Sequence, residues 1–134
     1  MKLYYKSGYK YITSRDFLHI TSVVGFEAKN DFITLHSGGD IYIKKAYAFD
    51  GPSGPTIDTD NSMRGALVHD ALYQLMREKL LPITCREAAD RTFYNNLRED
   101  GMSYIRAQAW LKSVRLFAAG AAKPSGGNPE KVAP

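Results

Sequence analysis

A chain of 134 residues with 44% hydrophobic residues, nine Tyr and six Phe can bury one substantial core, so a single domain is expected. One Cys excludes an internal disulfide, and no apolar run approaches the ~20 residues of a membrane-crossing helix. The net charge of +4 arises wholly within residues 61–134, because acids and bases cancel in residues 1–60.

The opening MKLYYKSGYKY has no apolar h-region, so no secretory signal is expected. The N-terminal third then reads as strands. Ile33 and Leu35 alternate with Phe32, Thr34 and His36, and Ile41 and Ile43 alternate with Tyr42 and Lys44. Ser37-Gly38-Gly39-Asp40 is the turn between them, and Asn30-Asp31 joins an earlier strand over Ser22–Ala28. An antiparallel β-meander over 1–49 is the expected result. His19 and His36 fall in strand-like segments with no partner pattern and read as structural.

Residues 50–61 change character. Two Gly and two Pro in Asp50-Gly51-Pro52-Ser53-Gly54-Pro55 exclude helix and central strand, and leave a rigid loop of backbone groups. Asp58 and Asp60 lack the Gly and distal Glu of a calcium-binding helix-loop-helix, and read as caps or turns.

Three helices are expected over 62–120, making the fold class α+β. The first spans about Ser62–Lys79, with Leu67, Val68, Ala71, Leu72, Leu75 and Met76 on its buried stripe. The second opens on a capping box, Thr84 to Glu87, buries Ala89, Phe93 and Leu97, and stops at Gly101. The third spans about Ser103–Ala119 up to Gly120, burying Tyr104, Leu111, Val114 and Ala118, with Trp110 partly buried. Arg106, Lys112 and Arg115 make it basic, with no acid over 102–120. A basic helix suits lipid head groups or an acidic partner, or is a solvated face. The remainder, 121–134, has little to bury and is expected to be disordered.

Chemistry concentrates on the first two helices. His69 shares a stripe with Gly65 and Tyr73, and Gly65 is expected to leave open space above the imidazole. Asp70 is rotated ~100° from His69, toward a different region. Asp90 lies on the buried side of the second helix, where an unpaired carboxylate is costly. With the two helices antiparallel, His69 is its expected partner, and Tyr73 and Tyr94 could donate to the same carboxylate. A carboxylate that orients one imidazole nitrogen frees the other as a general base. Arg86 or Arg91 could instead pair with Asp90 at the helix surface. Asp70 near exposed loop carbonyls is a hard-oxygen arrangement suited to calcium. A metal held by His69, Asp70 and Asp50 for another hydrolysis is a further reading.

Gly51-Pro52-Ser53-Gly54, then His69-Asp70-Ala71-Leu72-Tyr73, then Ala88-Ala89-Asp90-Arg91-Thr92-Phe93 resembles the secreted phospholipase A2 superfamily, and most of all the phospholipase domain of parvovirus capsid proteins. The resemblance covers about residues 47–100. It implies that His69 is the catalytic base, that Asp90 orients it and that Tyr73 braces the pair. It also implies that Asp70, with carbonyls of Gly51, Ser53 and Gly54, ligates Ca2+. The chain departs from that family at Asp50 and Pro55 and in its strand-rich N-terminal third.

A second resemblance covers more of the chain. A sheet, then Tyr47-x-Phe49-Asp50-Gly51-Pro52-Ser53, Val68-His69-Asp70-x-Leu72-Tyr73 and Ala89-Asp90-Arg91-x-Phe93, is similar to a family of small proteins encoded by tailed phages and prophages. Together the two resemblances imply a calcium-dependent phospholipase-like ester hydrolase of phage origin. The alternative is a non-enzymatic accessory or virion protein that keeps the scaffold. Expected partners are a phospholipid membrane surface and phage virion proteins, with no nucleic acid. The expected locations are the host cytoplasm or the virion.

Overall fold

A computed structural model describes residues 5–6, 11–49 and 60–117. Seven short strands precede three helices: β1 Tyr5–Lys6, β2 Tyr11–Thr13, β3 Phe17–Ile20, β4 Ala28–Lys29, β5 Ile33–Leu35, β6 Asp40–Ile43 and β7 Ala48–Phe49. The helices are α1 Asp60–Arg77, α2 Arg86–Glu99 and α3 Tyr104–Phe117, with a 3-10 turn at Ile83–Cys85. The fold is α+β, as expected. The expected loop residues Asp50, Gly51, Ser53, Gly54 and Asp58, the stop at Gly120 and the 121–134 segment lie outside the described residues.

All strand pairings are antiparallel, in two sheets ordered β1-β2-β7 and β3-β6-β5-β4. The β5–β6 hairpin has the expected alternation. Ile33 faces Ile43 and Leu35 faces Ile41, all buried, while Thr34 and Tyr42 share the other face. Its turn requires Gly39, whose φ is +99° and whose missing Cβ would meet the Thr21 carbonyl oxygen at 2.5 Å. The expected turn at Asn30 also forms, with Asn30 Oδ1 accepting from the Phe32 and Ile33 amides at 2.9 and 2.7 Å.

The strand expected over Ser22–Ala28 is not there; only Ala28 enters β4. Local hydrogen bonds win over β-propensity in this segment. The Thr21 hydroxyl accepts from the Val23 amide at 3.1 Å and donates to the Gly39 carbonyl at 2.8 Å. Gly25 then turns the chain at φ +87°.

Helix α1 is buried nearly all round, which places it between sheet and helices. Its expected stripe from Leu67 to Met76 is fully inside. Its end is a Schellman motif: Leu80 N–H donates to Leu75 O at 2.9 Å and Lys79 N–H to Met76 O at 3.0 Å, with Lys79 at φ +63°. Helix α2 ends the same way on Gly101, as expected, with Met102 and Gly101 amides on Leu97 and Arg98 carbonyls at 2.9 and 3.1 Å.

Two expectations about helix ends and faces fail. No capping box forms at Thr84, because the 3-10 turn from Ile83 already places Thr84 inside helical structure. Glu87 instead sits 3.6 Å from Arg91. On α3 the buried residues are Ala107, Trp110 and Val114, whereas Tyr104 is exposed and Leu111 only half-buried. Trp110 is completely buried rather than partly so. No helix among the described residues is long and apolar enough to cross a membrane.

Candidate functional site

Helices α1 and α2 run antiparallel, and their crossing is set by Gly65. A Cβ at Gly65 would stand 3.2 Å from Phe93 Cδ1 and 3.4 Å from both Leu97 Cδ2 and the Phe93 carbonyl oxygen. The glycine therefore admits α2 rather than leaving a space above His69, contrary to the sequence-based expectation. One turn along α1 from this contact, His69 meets α2 at Asp90.

The His69 Nε2 to Asp90 Oδ1 distance is 2.7 Å, and the Tyr73 hydroxyl donates to the same Oδ1 at 2.6 Å. His69, Asp90 and Tyr73 are 4%, 1% and 2% exposed. An ionised carboxylate only accepts, so Nε2 carries the proton and Nδ1 presents its lone pair. Burial, followed by the hydrogen bond to Asp90, raises the Tyr73 hydroxyl well above the ordinary phenol range. Tyr73 therefore stays protonated, and a donor, at neutral pH.

Aromatic rings clamp the imidazole. Tyr73 lies 4.2 Å and Phe93 5.0 Å from it between centroids, and Phe93 lies 6.1 Å from Trp110 of α3. All three helices thus hold one ring in place, which a positioned base requires.

Comparison with protein-family models, curated proteins and solved structures finds no match for this chain. The site is read from its own geometry. His69, Asp90 and Tyr73 come together as expected. Tyr94 does not join them; it packs half-buried against the core, and its hydroxyl is not among the donors to Asp90. Neither Arg86 nor Arg91 takes Asp90. Asp70 is half-buried beside His69 on α1, and Asp60 opens the same helix. Among the described residues no group of three or more His, Cys, Asp or Glu could hold a metal.

A second polar cluster went unread in the sequence. His19 of β3 lies 2.7 Å from Asn96 Oδ1 through Nε2, and 3.4 Å from Arg64 Nη1 through Nδ1. Arg64 also binds Asp100 through Nε at 3.0 Å and Glu99 through Nη2 at 2.9 Å. The Arg64 donor fixes His19 as the Nε2–H tautomer, with Asn96 Oδ1 as acceptor. Burial, then the Arg64 charge, lowers the His19 pKa from the usual histidine value. The available signal was Phe17 and His19 on one strand face: a polar ring beside a buried Phe requires a partner. His36, in contrast, is exposed.

Proposed function

We propose that the chain is a calcium-dependent phospholipase-like ester hydrolase of phage origin, working in the host cytoplasm or from the virion. The observation that carries this reading is the 2.7 Å contact of His69 Nε2 with a carboxylate oxygen also held by Tyr73. Such a partner orients the ring and stabilises the imidazolium that forms when Nδ1 accepts a proton.

On this reading Nδ1 takes a proton from water while the water oxygen bonds to the ester carbonyl carbon. The imidazolium then returns that proton to the leaving oxygen as the carbon–oxygen bond breaks. Asp90 keeps its charge throughout, and Tyr73 holds its carboxylate in place. Asp70 and the carbonyls of Gly51, Ser53 and Gly54 would hold Ca2+, which when bound would supply Lewis-acid polarisation of the ester carbonyl. A general base of this kind contributes ~10²–10⁴-fold.

The test is release of fatty acid from mixed phospholipid vesicles by the full chain, with calcium or with EGTA. Calcium-dependent release, reduced about 10²-fold or more in His69→Ala and Asp90→Asn, is expected. Inertness toward every lipid with calcium present would overturn the reading. The near-complete burial of His69 and Asp90 favours a second reading, a structural pair in a non-enzymatic phage accessory or virion protein. There, His69→Ala costs stability and there is no activity to lose.

A further inference from the structure

Helix α3 has two apolar stripes, and the fold uses only one. Ala107, Trp110 and Val114 face the core. On the opposite side, Ile105, Ala109, Lys112 and Leu116 follow at spacings of four, three and four, a continuous line along a 3.6-residue helix. Ile105 is 81% and Leu116 75% exposed, and Tyr104 beside them is 60% exposed. Arg106 and Arg115 flank the line and Lys112 lies within it, with no acidic residue on the helix.

We propose that this outer face of α3 docks the protein onto the surface of an anionic phospholipid bilayer. Large aliphatic side chains and cations on one helix face suit a partner that is apolar and negative within a few ångströms. The boundary between acyl chains and anionic head groups has that character, and Lys or Arg can extend to the head groups while their stems lie in the apolar layer. A second copy of the chain fits less well, since a two-fold contact through this stripe would set Lys112 against its own image. Nucleic acid offers the charge but nothing for Ile105 and Leu116.

The face is also tied to the candidate site. Trp110, on the inner side of α3, packs on Phe93, which packs on His69. Docking α3 therefore sets the helix that walls the site against the lipid surface. The choice of lipid as partner rests on the hydrolase reading above, and the experiment separates the two.

Full-length protein is sedimented with vesicles of phosphatidylcholine alone or mixed with phosphatidylserine, in EGTA. Binding to the mixed vesicles is expected to exceed binding to phosphatidylcholine by ~10-fold or more and to weaken as salt rises. Lys112→Glu and Ile105→Asp are each expected to weaken it about five-fold or more. Circular dichroism and the melting temperature should not move, because both positions are exposed. Equal binding to both vesicles, no binding, or binding untouched by both substitutions would overturn the docking surface. So would a dimer that Ile105→Asp dissolves. A monomeric short-chain phospholipid reports separately on the hydrolase: Ile105→Asp should cleave it as the parent does. Cleavage without vesicle binding removes only the docking face, and vesicle binding without cleavage removes only the hydrolase reading.

Discussion

The molecule holds two histidines against α2, and their surroundings differ in one decisive respect. His69 meets a carboxylate, inside a box of aromatic rings contributed by three helices. His19 meets an amide oxygen and a guanidinium where the sheet joins the helices. Asp90 accepts from His69 Nε2–H, whereas burial, and then the Arg64 charge, lower the His19 pKa from the usual histidine value. His69 is buried and His19 half-buried, and what separates them further is the sign of the neighbouring charge.

The comparison breaks most sharply at Asp90. Asp90→Ala leaves two buried donors, His69 Nε2–H and the Tyr73 hydroxyl, without their acceptor at ~1–3 kcal/mol each, so it should lower the chemical-denaturation stability by ~2–6 kcal/mol. Asn96→Ala, at the other histidine, removes a neutral acceptor and should cost ~1–3 kcal/mol. Equal losses at the two sites would mean that Asp90 does not hold both His69 and Tyr73 in the fold.

Gly65 tests whether the helix crossing sets the geometry of His69. A larger side chain meets Phe93 on α2, the residue that also packs on the imidazole. Gly65→Val is expected to cost ~1–3 kcal/mol by overpacking and to reduce hydrolysis more than it reduces folding. A crystal structure of the variant with the His69–Asp90 contact unchanged would show that the crossing is not what aligns them. Comparable in stability, and smaller in its effect on hydrolysis, is Tyr73→Phe. It removes a hydrogen bond to a charged group, for a loss of ~1.5–3 kcal/mol read by denaturant titration. The ring stays against His69, so any hydrolysis should fall only several-fold.

The first histidine was legible in the sequence and the second was not. The apolar stripe of α1 fixed its phase, and Asp90 on the apolar side of α2 needed a partner one helix away. That left few arrangements for His69, Asp90 and Tyr73. His19 and Asn96 are separated by 77 positions and meet only once a sheet edge has docked on a helix, which no local pattern encodes. The same limit hid the phase of α3. Ile105 and Leu116 repeat at helical spacing as well as Ala107, Trp110 and Val114 do, and only the shape offered by α2 selects between the stripes. Thr84 misled for a different reason: its capping signal is local, but a 3-10 turn began one residue earlier. The loop at Gly51, Ser53 and Gly54, on which the calcium expectation depends, stays a matter of sequence and of proposal.

His19 supplies the gentlest test. Its folded pKa is lowered from 6.5, first by burial and then by Arg64, against the hydrogen bond to Asn96 and the charge of Glu99. Between that lowered value and ~6.5 the unfolded chain binds more protons than the folded one, so stability rises with pH through the window. Acidifying from neutrality should therefore lower the melting temperature, and the loss should level off once the folded ring is protonated too. His19→Gln retains a donor for Asn96 and has no charge to gain, so the difference between parent and variant isolates this contribution from other groups. A parent whose melting temperature runs parallel to that of His19→Gln between pH ~5 and ~8 would show that Arg64 and burial do not hold the ring neutral. A parent that instead gains stability relative to the variant on acidification would show that the neighbouring carboxylates outweigh burial and Arg64 at His19.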